Sequence, residues 1–98
     1  MNETVRLSFS GTDLSSRTYG QEQRLILEKL LQNGDKVTID LRNIESISHS
    51  FADELFAVLY SKVGEKTFSE KINFIVKSED LVQVISDSIR YRCNLQSV

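Results

Sequence analysis

Val5, Leu7 and Phe9 alternate with Arg6 and Ser8, and a period of two predicts a strand with one buried face. "GTDLSSRTYG" then reads as a loop in which Ser15 or Ser16 caps a helix. In "QEQRLILEKLLQ", Leu27, Leu30 and Leu31 repeat at helical spacing, with Ile26 widening the stripe, and Gly34 suits the left-handed position past its end. "KVTIDL" is the next strand. Its apolar positions and mild Thr38 predict a central place with cover on both faces, and Asp40 near its carboxyl end. "RNIESIS" is a short connection that folds Ile44 and Ile47 onto the core.

A second helix is predicted from near Ser50 to about Val63. Phe51, Leu55, Val58 and Leu59 share one face, and Phe56, Ala57, Tyr60 and Val63 broaden the apolar arc. So broad an arc implies deep burial or a second face meant for a partner. "VGEKTFSEK" reads as a polar crossover and "INFIVK" as a strong strand. Ser78 caps a third helix with Leu81, Val84, Ile85 and Ile89 in one stripe, Glu79 and Asp80 in the first turn, and Arg90 and Arg92 in the last. The tail "CNLQSV" is expected to be loosely held. The order β-α-β-α-β-α predicts an α/β domain, a small mixed or mostly parallel sheet with helices packed on it. The direction of the first strand is left open by the pattern.

Composition narrows the class. The 98 residues are the size of one domain, residues 1–98, and 40% apolar with 27% charged is the balance of a globular chain. A net charge of −2 with no basic stripe argues against nucleic acid or anionic membrane as the main partner. No apolar run has the length of a membrane span, the N-terminus lacks a signal pattern, and Cys93 stands alone, so a cytoplasmic protein is expected. Gly11, Gly20, Gly34 and Gly64 are isolated and match no nucleotide fingerprint. No Cys/His spacing supports a metal, and no cofactor is expected.

Chemistry concentrates in "SISHSFADELF". Ser50 and Asp53 fit the S-x-x-[DE] capping box, worth about 1 kcal/mol and needing no function. His49, the single histidine, reads as a solvated loop residue, and adjacent Ser50 and His49 do not make a catalytic dyad. Asp53 and Glu54 diverge by about 100° on a helix and cannot face each other as acid and base. Glu54 is placed to pair with Arg17 or Arg42. Cys93 reads as an inert thiol. With no nucleophile–base or metal set to assemble, the chain is expected not to be an enzyme.

"VTIDLRNIESISHSFADELFAVLY" resembles the central segment of STAS domains, the anti-sigma-factor-antagonist superfamily. Aligning Asp40-Leu41 with the Asp-Leu pair of that segment puts Ser48-His49-Ser50-Phe51 on its Asp-Ser-Ser/Thr-Gly tetrad. "SFADELF" is more similar still to the helix start of a STAS-like bacterial family with no assigned function, in which a Ser-Arg pair such as Ser16-Arg17 opens the first helix. The resemblance implies that Ser50 stands where a partner kinase phosphorylates related domains. Two departures stand out: Ser48 replaces the leading aspartate, and Phe51 replaces the glycine, so that Phe51 either fills the core or crowds the Ser50 hydroxyl.

The function expected on this basis is a non-enzymatic regulatory interaction module. His49, Asp53, Glu54, Phe56 and Tyr60 would face a protein partner, a kinase-type regulatory ATPase or a second copy, and a charge at Ser50 would weaken docking. The alternative is a small-ligand or nucleotide site around Asp40, Arg42 and Ser50, with Arg17 as a further contributor, at the carboxyl ends of the strands.

Overall fold

A computed structural model describes residues 4–96. Three strands, β1 (Thr4–Ser8), β3 (Lys36–Leu41) and β5 (Ile72–Val76), form a parallel sheet in the order β1-β3-β5. The first strand is therefore parallel to the rest. Arg6 aligns with Thr38 and Asn73, and Leu7 with Ile39 and Phe74. Both crossovers step the same way across the sheet, so right-handed connections put their helices on one face. Val37, Ile39 and Leu41 are fully buried there, while Arg6 and Asn73 on the other face are exposed and Thr38 and Asp40 are half-exposed. The expectation of cover on both faces is corrected: among the described residues the helices roof the central strand on one side only, and none crosses to the other.

A second pairing, β2 (Asp13–Leu14) with β4 (Ser46–Ile47), is also parallel. Two residues per strand are too few to show a period, and both segments read as loops in the sequence. Ile44 and Ile47 are buried, as expected of residues folded onto the core.

Helix α1 (Arg17–Gln32) starts at Ser16, whose Oγ accepts from Tyr19 N at 3.1 Å. It ends with Gly34 at φ 86°, Gly34 N donating to Leu31 O and Asp35 N to Leu30 O. This is the Schellman pattern. Its buried stripe is Gly20, Arg24 and Leu27, so Ile26, expected to widen the apolar face, lies to one side and is 46% exposed.

The next helical stretch has three parts: α2 (His49–Ala52), a π-helical turn (Asp53–Ala57) and α3 (Val58–Lys71). Gly64 breaks α3 at φ 88°, ψ 163°, a conformation that residues with a Cβ avoid. The segment expected as a polar crossover is thus helical on the far side of a kink. Phe68 anchors it, 5.2 Å from the Tyr60 ring centroid and 6.3 Å from that of Phe74. Ser78 Oγ accepts from Asp80 N at 3.2 Å and opens α4 (Glu79–Gln96). The tail expected to be loose continues α4 to Gln96, and its last two residues lie outside the described ones. Arg90 and Arg92 consequently stand before the last turn.

The core fills the space between the sheet and the helices. Phe51 and Phe56 are its largest fully buried side chains. Phe51 meets Phe9 at 5.7 Å and Tyr19 at 5.9 Å, and Phe56 meets Phe74 at 5.5 Å. Phe51, which the resemblance sets in the place of a glycine, therefore fills the core.

Candidate functional site at the start of α2

The β2–β4 pair sets the starts of α1 and α2 side by side. Ser48 N donates to Leu14 O at 2.8 Å, and Ser46 Oγ donates to Asp13 Oδ1 at 2.6 Å. Close approach continues along α1: a Cβ on Gly20 would lie 3.2 Å from Phe51 O, so the helices meet where α1 has no side chain.

Ser48, not Ser50, caps α2. Its Oγ accepts from Phe51 N at 3.1 Å and donates to Ser15 O at 3.2 Å. The helix begins two residues earlier than the capping-box pattern implied, so Ser50 sits inside the first turn. Asp53 does not return to a cap. Its Oδ1 accepts from Arg92 Nε at 2.8 Å, and its Oδ2 from Arg92 Nη2 at 2.7 Å and Arg17 Nη1 at 3.4 Å.

The π-helical turn has its own support. Val58 N–H donates to Asp53 O, one residue beyond the α register, so the Glu54 carbonyl loses the donor an α-helix would give it. Arg24 Nη1 donates to that carbonyl at 2.9 Å. Arg24 is 7% exposed and also pairs with Glu28 at 3.2 Å and with the Glu54 carboxylate at 3.4 Å. Arg17 Nη1 reaches Glu54 Oε2 at 2.9 Å. The expected Glu54–Arg17 pair is present, and one guanidinium serves both neighbouring carboxylates despite their divergence.

A cleft of about 460 Å³ opens beside this network. His49, Ser50 and Asp53 line it from the start of the helical stretch, Arg17 from α1, and Asp87, Ser88, Tyr91 and Arg92 from α4. Ser88, itself buried, holds its Oγ 3.4 Å from His49 Nδ1. Tyr91 is 66% exposed at the rim.

Electrostatics follow the pairing. The Arg92 guanidinium hydrogen-bonded to Asp53 holds that carboxyl below its usual range against the opposing effect of burial, with Arg17 adding to the shift. Asp53 in turn raises Arg92. Asp40 is held well below the usual carboxylate range by hydrogen bonds from the Arg42 side chain and backbone, and Arg42 is raised by the same bond. Partial burial, with Glu65 and Cys93 nearby, raises Tyr60.

Of the residues picked from the sequence, His49, Ser50, Asp53 and Arg17 meet in one cleft, with Glu54 joined to it through Arg17. Phe56 does not belong to a surface: it is fully buried, because the broad apolar arc is enclosed between the sheet, α1 and α4. Tyr60 is half-buried and lines a separate depression with Cys93 and Arg90. Asp40 and Arg42 pair with each other at 2.7 Å and are not part of the cleft lining. Sequence reading missed Asp87, Ser88 and Tyr91 of the α4 wall, whereas Arg92 stands with Arg17, Arg42 and Arg90 among the arginines able to hold a carboxylate or phosphate if gathered, and the structure gathers Arg17 and Arg92 on Asp53. Nothing in the spacing forces those four arginines together, and nothing in it names Asp53 as the partner of Arg92. Among the described residues, no group of three or more His, Cys, Asp or Glu side chains is placed to hold a metal ion, and no helix is long and apolar enough to cross a membrane.

Among the described residues, a parallel sheet with every helix on one face and a cleft lined by His49, Ser50 and Asp53 at the start of the helical stretch after the central strand makes a small α/β domain of STAS-like architecture. Residues 19–81 match the family described as STAS-like domain of unknown function (DUF4325), and the chain belongs to that family. The matched stretch ends at the first turn of α4, so Arg17 and the α4 wall of the cleft fall outside it. No curated protein and no solved structure matches the chain.

Proposed function

We propose that this domain is a non-enzymatic regulatory module that docks a protein partner at the cleft around Ser50, and that a negative charge on Ser50 alters the docking. The observation that carries this reading is the division of labour between two serines. Ser48 is committed as the cap, which leaves Ser50 in the cleft wall beside His49 and Asp53. The docking surface is accordingly centred on His49, Ser50 and Asp53 with Tyr91 at its edge, and it does not include Phe56. Asp53 and Glu54 are already matched by Arg17, Arg24 and Arg92, which reduces the repulsion a phosphate on Ser50 would meet. The partner in this reading is a regulatory ATPase of kinase type or a second copy of the chain, and the setting is the cytoplasm.

The test uses the intact chain as bait in native lysate, as wild type, His49→Glu, Tyr91→Glu and Asn73→Lys, the last on the bare sheet face. A partner held by wild type and Asn73→Lys but lost by the two cleft variants is the expected result. Capture that ignores both cleft variants rejects the surface. Intact-mass measurement of the recovered bait reports any phosphate.

The size of the cleft favours one second reading, since small-molecule sites commonly occupy about 300–1,000 Å³. A ligand would then sit against Arg17 and Ser50, away from Asp40 and Arg42. A ligand at about 100 times its Kd stabilises by about 2.7 kcal/mol, so a thermal-shift screen with nucleotides and simple oxyanions decides this. No shift with any of them removes the ligand reading.

A further inference from the structure

We infer that Asp53 is the anchor of a clasp holding the second half of α4, and that a negative charge on Ser50 re-seats that clasp and withdraws Cys93 from Tyr60. The inference rests on the reading of Ser50 as a charge-receiving residue and assigns its mechanical consequence.

The two halves of α4 are held differently. Leu81, Ile85 and Ser88 are buried. From Ile89 to Asn94 no residue is buried, and Arg90, Tyr91 and Asn94 are exposed. What ties this part down is the two-pronged Arg92–Asp53 bond, at 2.8 and 2.7 Å, with the half-buried side of Ile89 and Cys93 resting by Tyr60. Ile89 adds an apolar contact with the core, and the polar fixed point is one carboxylate on the π-helical turn.

Ser50 stands one helical turn before Asp53, on the same side, and lines the same cleft as Arg17 and Arg92. A phosphate there brings about −1.5 to −2 charges and three acceptor oxygens, more than one carboxylate offers a guanidinium. It also repels Asp53 across a single turn. Transfer of Arg92 from Asp53 to position 50 moves its anchor by the rise of three helical residues, ~4.5 Å, toward the start of α2. Tyr60 lies in the opposite direction along the same helical stretch, so Cys93, adjacent to Arg92 in sequence, is drawn away from it. The cleft and the end of α4 then change together, and a partner reading either one senses the charge.

Cys93 is the chain's single cysteine and is half-buried, so its rate of modification by a thiol reagent under native conditions reports the clasp. Asp53→Asn and Ser50→Asp are each expected to raise that rate about fivefold or more, with phosphoserine at position 50 raising it further. Val5→Ala, which weakens the fold at β1 far from the clasp, is expected to leave it near wild type. The inference is overturned if Ser50→Asp and phosphoserine leave the rate unchanged or lower it. It is equally overturned if Asp53→Asn has no effect, or if Val5→Ala raises the rate as much as the clasp variants do. Partner capture by the Ser50→Asp bait separates the two readings. Faster labelling with undiminished capture supports the clasp and removes charge-controlled docking, whereas lost capture without faster labelling overturns the clasp and leaves the docking surface standing.

Discussion

Asp53 accepts the Arg92 guanidinium with both oxygens, Nε to Oδ1 at 2.8 Å and Nη2 to Oδ2 at 2.7 Å, joining the π-helical turn to the far half of α4. Fork-to-fork pairing of this kind is strong and orienting, and both side chains are partly shielded from water. At neutral pH, Asp53→Asn should cost about 1–2 kcal/mol, read from urea midpoints. The pH dependence has a definite sign. The folded-state pKa of Asp53 lies below the unfolded value near 3.9, so the contribution is present above about pH 4 and is lost as pH falls through the folded-state value. Between pH 5 and pH 3 the wild type should lose more stability than Asp53→Asn. Equal losses would mean that this pair does not stabilise the fold.

The two serines at the start of α2 should separate cleanly on truncation. Ser48→Ala removes the acceptor for Phe51 N and the donor to Ser15 O, at a cost of about 1 kcal/mol. Ser50→Ala should fall within about 0.5 kcal/mol of wild type. Chemical denaturation of both variants checks the assignment, and the reverse order would return the cap to Ser50.

Phe56 and Tyr91 mark the difference between core and rim. Phe56→Ala empties a fully buried site and should cost about 3–5 kcal/mol, while Phe56→Asp should fail to give a folded chain. Tyr91→Ala should change stability by no more than about 0.5 kcal/mol. Circular dichroism on melting distinguishes them.

Arg24 is the donor that completes the π-helical turn. Arg24→Met keeps the bulk of the stem but strands the Glu54 carbonyl and removes the ion pairs that Arg24 makes with Glu28 and Glu54, leaving Glu28 to Lys62 and Glu54 to Arg17. The expected cost is about 1–3 kcal/mol, with faster amide hydrogen exchange confined to residues 53–58 and the helices touching them. Unchanged exchange there would show that the turn holds its register without Arg24.

Much of the fold was legible along the chain. The alternation in "TVRLSFS" and "INFIVK", the stripe of Leu27, Leu30 and Leu31, and the caps at Ser78 and at Ser15 or Ser16, of which the structure uses Ser16, are local signals that follow from backbone geometry and orphan N–H groups. The kink at Gly64 and the helix beyond it were hidden, because Phe68 is a single apolar residue among polar ones and shows no period. The two-residue pair β2–β4 was hidden for a similar reason: its hydrogen bonds join segments far apart in sequence.

The candidate site was half legible. Ser50, His49 and Asp53 stand together in sequence, and the strand-to-helix junction and its STAS resemblance marked them as a group. Which serine caps the helix depended on a contact with Ser15, and which side chains were surface depended on what roofed them. Phe56 was placed outside because a broad apolar arc looks the same whether a partner or the chain's own α4 covers it. Arg92 was legible only as one of four scattered arginines and not as the partner of Asp53, since the attraction between opposite charges leaves no periodicity and the two residues share no local segment.

By itself the sequence determined the order of the three sheet strands and the helices that follow them, and the stretch where chemistry gathers, because each is set by neighbours within a few residues. Only the tertiary structure decided that the sheet is bare on one face, that Ser48 takes the cap, and that Arg17 and Arg92 close on Asp53. Those outcomes depend on distances between residues remote in sequence, and such distances exist only once the parallel sheet has brought the helix starts and α4 around one cleft.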